Sequence, residues 1–316
     1  MSLIPTVDLH DYLHGDSAAQ ARFVQQLGDS FSHIGFAIVD NHGIPGEVIA
    51  GAYAAFQAFF ALPEAVKLRY EVPGLAGQRG YTSKGREHAK GRNVGDLKEF
   101  FHIGQLERDG DTEVYPDNVF PAEVPALEQY GVQLYRSLEA TGGQLLRAIA
   151  VYLSLPEDYF DARIRNGNSI LRPIHYFPID DPDSVPEGAV RAAEHEDINL
   201  ITLLIGASAE GLEVLDTTGR WVAASPAPHQ LVINVGDMLQ RLTNGRLRST
   251  THRVVNPPRE RMHEPRFSVP FFLHPRSDMS LACLDSCIDE AHPKAYEDIT
   301  AGAYLDERLR EIGLKK

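Results

Sequence analysis

The chain has 316 residues, of which 43% are hydrophobic, and a formal net charge of −14 at pH 7. This composition excludes a disordered chain, and the acidic balance argues against a nucleic-acid partner, which requires a basic face. The only cysteines are Cys283 and Cys287, which predicts a protein without structural disulfides in a reducing compartment. The N-terminus lacks a signal-peptide pattern and no window reaches about 18 apolar residues, so we expect a cytoplasmic protein with no membrane partner.

The N-terminal part of the chain alternates strand and helix patterns. PTVDL predicts a short strand, residues 18–34 place apolar side chains at helical spacing, and GFAIVDN predicts a second strand. An apolar helix begins near Pro45 and ends before Pro63. We therefore predict an N-terminal α/β region over residues 1–120.

A glycine-rich basic segment follows these elements. Residues 74–92 read GLAGQRGYTSKGREHAKGR and show no sustained periodicity, which is typical of a long exposed loop. Positive charge stands out in an acidic protein, so this segment is a candidate contact for an anionic substrate, with an ordinary solvated face as the alternative. Its basic and aromatic residues are Arg79, Tyr81, Lys84, Arg86, His88, Lys90 and Arg92.

A long helix and a series of short strands make up the rest of the chain. Apolar residues between Val124 and Leu153 lie on one helical face. After residue 168, turn signals separate the β-rich runs SILRPIHYF, LITLLI, LEVLD, WVAA, QLVINVG, THRVV and FSVPFFL. Short strands at this spacing favour a mainly β fold with helices, a jelly roll rather than a parallel sheet. We assign residues 121–316 to a helix-supported jelly-roll core that forms one compact unit with the first region.

The stretch HEDINLITLLI, residues 195–205, begins with an imidazole and two carboxylates and then becomes apolar. On one extended strand, His195 and Asp197 point to the same face and Glu196 points to the other. His252, in THRVVNP, is a candidate third ligand. Two imidazoles and one carboxylate form the facial triad that leaves three positions open on Fe(II), although zinc in a hydrolase can use the same set.

A second polar pair lies in RFSVPFF. Arg266 and Ser268 are two residues apart in a predicted strand, so their side chains share a face. A guanidinium beside a hydroxyl forms a clamp for a carboxylate, because the guanidinium fork matches two carboxylate oxygens. This pair favours iron chemistry with a carboxylate-bearing ligand over a zinc hydrolase.

The order of these motifs resembles a known family. The pieces GFAIVDNHGIP, DLKEFFHIG, HEDINLITLL, GLEVLDTTGRWV, VINVGDMLQRLTNGRLRSTTHRVVNP and RFSVPFF span most of the chain. Together they are similar to the isopenicillin N synthase-like branch of the Fe(II)- and 2-oxoglutarate-dependent dioxygenases. The resemblance implies a double-stranded β-helix, or jelly-roll, core flanked by helices.

The resemblance also implies roles for the two polar groups. His195, Asp197 and His252 would form the catalytic iron site, and Arg266 and Ser268 would bind the distal carboxylate of 2-oxoglutarate. The implied cofactors are Fe(II), 2-oxoglutarate as co-substrate, and O2.

Relatives in this family also hold the co-substrate with a tyrosine just before a proline, in the strand that precedes the HxD loop. In IHYFP, Phe177 precedes Pro178, and Tyr176 lies one residue earlier. The resemblance makes Tyr176 a candidate for the 2-oxoglutarate site, and the alternative is an ordinary strand aromatic.

The reaction that the resemblance implies is an oxidation of a small molecule. 2-Oxoglutarate is oxidatively decarboxylated to succinate and CO2, and the small molecule is by default hydroxylated. Two alternatives remain open at this point. One is an Fe(II) oxidase of the isopenicillin N synthase type, which needs no 2-oxoglutarate. The other is a non-catalytic jelly-roll binding module.

Overall fold

The computed structural model describes residues 4–75, 77–85, 98–106, 115–179, 181, 183, 190–206 and 211–311. The helices within them are α1 Leu9–His14, α2 Ser17–His33, α3 Gly46–Phe60, α4 Glu64–Lys67, α5 Pro125–Tyr152, α6 Asp161–Ile164, α7 Asp237–Leu242 and α8 Ala301–Glu311. The strands are β1 Thr6–Asp8, β2 Phe36–Asp40, β3 Gly80–Thr82, β4 Lys98–Gly104, β5 Ile170–Leu171, β6 Ile174–Tyr176, β7 Ala192–His195, β8 Ile201–Ile205, β9 Leu212–Leu215, β10 Trp221–Ala223, β11 Leu231–Val235, β12 His252–Val254, β13 Arg266–Ser268 and β14 Pro270–Leu273.

Two sheets form the body of the protein. The larger sheet has the order β1-β2-β11-β8-β14-β5-β4-β6-β13, with β3 beside β4, and the smaller sheet has the order β10-β9-β12-β7. Only the β1–β2 pair is parallel among the described strands. Antiparallel sheets of this kind, flanked by helices, confirm the predicted mainly β jelly-roll fold.

The layer between the two sheets is apolar. Phe36, Ile38 and Val232 of the larger sheet belong to one buried cluster with Val214 and Val254 of the smaller sheet. Alternation along each strand explains this layer, because every second side chain points to the same face.

The long helix predicted over residues 124–153 is confirmed as α5. Its apolar face is buried against α2, α3 and the larger sheet, which is the usual arrangement for a helix with an apolar stripe. Gly142 lets the helix approach β14 closely. A β-carbon at this position would lie 2.4 Å from Cδ1 of Leu273.

The exposed loop expected over residues 74–92 is wrong for residues 79–82, whereas Gly74, Lys84 and Gly85 are exposed as predicted. Residues 80–82 form β3, which pairs with β4 and buries the Tyr81 side chain. The Arg79 guanidinium is fully buried and donates to the carbonyl oxygen of Pro116. The glycine-rich, charged sequence does not predict this short strand, because the strand forms only by pairing with β4, which is distant in the sequence. Four residues of the predicted basic segment lie outside the described residues: Arg86, His88, Lys90 and Arg92.

The single strand expected over residues 195–205 is also wrong. β7 ends at His195 in the smaller sheet, and β8 begins at Ile201 in the larger sheet. The intervening residues are held by long-range backbone hydrogen bonds: Asp237 N–H donates to Asp197 O, and Gly236 N–H donates to Leu200 O. Residues 195–205 therefore do not form one extended strand, and the alternation of side chains along a strand does not determine which way each residue points.

Both predicted regions contribute to the larger sheet. β2 pairs with β11, and β4 pairs with β5 and β6. The division at residue 120 stays a prediction.

No single helix in the described ranges is long and apolar enough to cross a membrane. The helix pair Gly46–Phe60 and Glu64–Tyr70 reaches that length and hydropathy only when its two parts, which meet at a bend of 110°, are counted together.

Candidate active site

The structure brings His195, Asp197 and His252 together. His252 lies directly opposite His195 in the β7–β12 ladder, and Asp197 follows two residues after the end of β7. The two imidazole centroids are 4.3 Å apart, and one ligand atom from each of the three residues lies within 4.8 Å of the other two. These residues form the one group of at least three potential metal ligands found within the described part of the chain.

Backbone carbonyls determine which nitrogen of each imidazole is available. Nδ1 of His195 lies 2.8 Å from Ala193 O, and Nδ1 of His252 lies 3.1 Å from Thr250 O. A carbonyl oxygen only accepts, so each Nδ1 carries a hydrogen, and Nε2 is the nitrogen of each ring that remains for a cation. The two Nε2 atoms lie 3.9 and 3.8 Å from Asp197 Oδ1, which leaves space for a cation between them.

The second carboxylate oxygen of Asp197 is held by the sheet. Oδ2 accepts from Thr202 Oγ1 at 2.6 Å and from Asn234 Nδ2 at 2.9 Å, and Asn199 Nδ2 donates to the same Thr202 oxygen at 2.8 Å. Burial alone would raise the pKa of Asp197, but the two imidazoles and these hydrogen bonds outweigh burial and keep the pKa below its usual value. The carboxylate is therefore ionised and oriented before a metal binds.

The first histidine is neutral at physiological pH. Desolvation by surrounding protein atoms lowers the pKa of His195 to about 4, and the nearby His252 acts in the same direction. The ring is nevertheless accessible, with 45% of its side chain exposed. A neutral, accessible imidazole can bind a cation without first losing a proton.

Arg266, Ser268 and Tyr176 lie together on the adjoining part of the larger sheet. Arg266 pairs with Tyr176 in the β13–β6 ladder, and its guanidinium carbon is 5.0 Å from the centre of the Tyr176 ring. Arg266 and Ser268 are both buried and share a face of β13. The structure thus places Tyr176 beside the predicted clamp, on the same face as Arg266.

Further polar residues lie on the same face of this sheet. Lys98 pairs with Tyr176, and its charge is close enough to His195 to lower the pKa of that imidazole slightly. Arg172, between β5 and β6, contacts His102 Nε2 through its Nε at 2.5 Å. The Arg172 guanidinium also packs over the ring of Phe100, 4.6 Å from its centre. This face is therefore both cationic and aromatic.

Three other polar residues, among them Glu196, lie outside this group. Glu196 accepts from Thr251 Oγ1, and Arg241 packs its guanidinium over Tyr296, 5.0 Å from the ring centre. His42 bonds to the backbone of Ile44 through Nδ1.

The donor set fits a ferrous ion. Two imidazole nitrogens and one carboxylate oxygen form the facial triad, which leaves other coordination positions open. Hydrogen bonds to the other polar atom of each side chain orient these ligands. Zinc uses the same donors, so the three side chains alone do not choose between the two metals.

Family models decide between them. Residues 4–123 match the family model for the N-terminal region of non-haem dioxygenase in morphine synthesis. Residues 167–275 match the model for the 2OG-Fe(II) oxygenase superfamily. A proline hydroxylase, buaE, from Petromyces alliaceus is 35% identical over 97% of this chain and 98% of its own length. The chain belongs to the 2OG-Fe(II) oxygenase superfamily.

Solved structures agree with this oxygenase assignment. A 2OG-Fe(II) oxygenase family protein from Caulobacter crescentus has a TM-score of 0.88 and 46% identity, over 99% of this chain and 100% of that one. A full-length protein of Neurospora crassa, solved in complex with alpha-KG (2-oxoglutarate) and thymine, has a TM-score of 0.85 and 30% identity, over 97% and 96% of the two chains.

The protein is thus a 2-oxoglutarate-dependent non-haem iron dioxygenase that uses Fe(II), 2-oxoglutarate and O2. This result confirms the predicted family, enzyme class and cofactors. It does not support the zinc hydrolase or the non-catalytic binding module.

Sequence reasoning missed the residues that orient the Asp197 carboxylate. Thr202 and Asn234 are each the only polar residue of an apolar strand, β8 and β11 respectively. An isolated polar side chain in a buried strand needs a hydrogen-bond partner, and this was the available signal.

Proposed function

We propose that this oxygenase hydroxylates a small anionic molecule, with His195, Asp197 and His252 as the iron ligands. The convergence of two Nε2 atoms on Asp197 Oδ1 is the observation that carries the metal assignment. Bound Fe(II) supplies the activation of O2, coupled to decarboxylation of 2-oxoglutarate to succinate and CO2. The chain contributes placement of both molecules.

Arg266, Ser268 and Tyr176 are the proposed 2-oxoglutarate site. The guanidinium of Arg266 is buried, and its planar fork matches the two oxygens of the carboxylate that a dicarboxylate presents when its other end is at the iron. Ser268 lies on the same face and adds a hydroxyl donor. The Tyr176 ring forms one wall against the guanidinium, which restricts the orientations that Arg266 can adopt.

The cationic face beside this clamp supports an anionic substrate. Lys98 and Arg172 project from neighbouring strand segments, and Phe272 packs 5.3 Å from the Arg172 guanidinium. Phe272 also pairs with Thr202, whose hydroxyl holds Asp197. Arg172 follows β5, which lies two strands, or about 10 Å, from β8, so its long side chain can extend toward a small molecule beside Asp197.

The names of two relatives support a small-molecule substrate. One relative is named a proline hydroxylase, and another structure contains thymine. The two names refer to proline and to thymine, both of which are compact groups. We propose a molecule of similar size that carries a carboxylate or another anionic group.

Succinate release tests the proposed reaction and substrate together. Purified protein with Fe(II), 2-oxoglutarate and ascorbate would be screened with small carboxylic acids, and each acid would be paired with its neutral amide. We expect a carboxylate, but not its amide, to raise succinate release and O2 uptake in equal amounts. Equal stimulation by an acid and its amide would overturn the anionic substrate and leave the oxygenase intact. Iron-dependent O2 uptake without 2-oxoglutarate would favour the oxidase alternative.

We also propose a cytoplasmic location. Both thiols, Cys283 and Cys287, are free and buried, which supports a reducing compartment.

A further inference from the structure

A buried polar cluster lies directly behind the proposed co-substrate clamp. Glu99 of β4 is 1% exposed and accepts four hydrogen bonds. Lys67 Nζ donates to both carboxylate oxygens at 2.9 and 2.7 Å, and the Tyr81 hydroxyl donates at 2.5 Å. His175 Nδ1 lies 2.8 Å from Oε1. These partners come from α4, β3 and β6, so the carboxylate ties three elements to β4.

Glu99 is ionised in this cluster. Burial alone would raise the pKa of Glu99, but the hydrogen bonds from His175, Lys67 and Tyr81 outweigh burial and lower the pKa. An ionised carboxylate only accepts, so the hydrogen lies on Nδ1 of His175. This bond is charge-assisted and orients the imidazole more strongly than a neutral bond would.

In the strand register, the row of residues that contains Glu99 lies between the two rows that carry Arg266 and Ser268. Glu99 pairs with His175 across β4 and β6, and His175 pairs with Phe267 across β6 and β13. The neighbouring cross-strand rows point to the opposite face of the sheet, which is the face of the clamp. These rows are Lys98–Tyr176–Arg266 and Phe100–Ile174–Ser268.

An aromatic stack continues the link from Glu99 to the clamp strand. The His175 ring lies 4.8 Å from the Phe267 ring at an angle of 12° between planes. Phe60 closes the far side of the same pair, 5.6 Å from His175 and 6.2 Å from Phe267. Phe267 stands between Arg266 and Ser268 in the chain, so its position limits the backbone that carries both clamp residues.

We propose that Glu99 and His175 are positioning residues for 2-oxoglutarate. The Glu99 carboxylate fixes the His175 ring, the ring fixes Phe267, and Phe267 fixes the part of β13 that aims Arg266 and Ser268 at the distal carboxylate. This inference rests on the proposed role of Arg266. Neither Glu99 nor His175 touches the co-substrate.

The test compares two ligands that differ at the distal carboxylate. Pyruvate has the same 2-oxo acid end as 2-oxoglutarate but no distal carboxylate, so it can use the metal but not the clamp. Kd values for both would be measured by calorimetry on the Mn(II)-loaded full chain. The ratio of the pyruvate Kd to the 2-oxoglutarate Kd reports the clamp alone, because changes at the metal affect both ligands.

His175→Phe keeps an aromatic ring on Phe267 and removes the hydrogen bond to Glu99. We expect the Kd ratio to fall about tenfold, which corresponds to loss of one charge-assisted hydrogen bond. Tyr81→Phe is the matched control, because it removes one hydrogen bond from the same carboxylate on the side away from β13. This control should change the ratio by less than about twofold. Phe267→Leu leaves the buried carboxylate intact and should also lower the ratio.

The outcomes separate the inference from the proposed function. Equal ratios in His175→Phe and Tyr81→Phe, or an unchanged ratio in His175→Phe and Phe267→Leu, would make the cluster purely structural and overturn the inference. A wild-type protein that binds 2-oxoglutarate no more tightly than pyruvate would instead overturn the Arg266 clamp, and the positioning role with it. Thermal unfolding of each variant shows whether lost stability accompanies a changed ratio.

Discussion

The two oxygens of Asp197 have separate partners. Oδ1 faces both imidazoles, while Oδ2 accepts from Thr202 and Asn234. This division keeps one oxygen directed at the proposed metal position. Residues that orient metal ligands in this way commonly affect metal affinity nearly as strongly as the ligands do.

Replacing Thr202 tests this orientation. Thr202→Val keeps the shape of the side chain but removes the donor to Oδ2, so we expect Mn(II) and Fe(II) to bind about 10- to 100-fold more weakly in calorimetric titrations. Thr243→Val is the matched control, since its buried hydroxyl donates to Leu239 O inside α7 and its C-cap. An equal effect of both substitutions on metal affinity would contradict the orienting role of Thr202.

Among single residues, spacing predicted which side chains converge but not how they are oriented. His195 and Asp197 were found because the HxD pair stands at the edge of an apolar run. The alternation predicts one continuous strand over residues 195–205, whereas in the structure the strand ends at His195. The pair still converges because the turn is held by residues of the β11–α7 junction, a contact that local sequence does not encode.

Among the helices and strands, α5 determines how closely the helical layer approaches the larger sheet. Periodicity predicted this helix and its buried face, because the 3.6-residue repeat is a local property. Periodicity gave no sign of β3 or of buried Arg79, because both depend on pairing with β4 and on packing with distant residues. Gly142 lies at the contact of α5 with β14, opposite the Leu273 side chain.

Adjacent glycines of α5 provide a paired test of this contact. Gly142→Ala places a β-carbon 2.4 Å from Leu273 Cδ1, and we expect the free energy of unfolding to fall by about 1–3 kcal/mol. Gly143→Ala meets only Ile164 Cδ1 at 3.7 Å, so higher helix propensity should raise the free energy of unfolding by about 0.5–1 kcal/mol. Urea unfolding measures both. Changes of the same sign and size would show that α5 does not press on β14.

For the protein as a whole, two imidazoles with lowered pKa values make the folded state sensitive to acid. Burial lowers the pKa of His274 to about 4, and desolvation does the same for His195. In the unfolded chain these groups bind a proton near pH 6.5. The unfolded state therefore binds more protons between about pH 6.5 and 4, and the metal-free protein loses stability as the pH falls through that window.

His274 isolates one part of this pH dependence, since it is buried and is not a proposed ligand. Each such proton gives a slope of about 1.4 kcal/mol per pH unit in the free energy of unfolding. We expect His274→Leu to remove about that much of the slope between about pH 6 and 4.5, measured by urea unfolding of metal-free protein. His10→Gln, which replaces an exposed imidazole, is the control, and its slope is compared with that of His274→Leu. The prediction fails if the two variants have the same slope.

A crystal structure of the protein with Mn(II) and 2-oxoglutarate, with the metal located by its anomalous signal, tests the proposed site most directly. We predict one metal ion bound by Nε2 of His195, Oδ1 of Asp197 and Nε2 of His252, with the distal carboxylate of 2-oxoglutarate on Arg266. A metal held through Nδ1 or by other residues, or a co-substrate whose distal carboxylate lies away from Arg266, would contradict the proposed site.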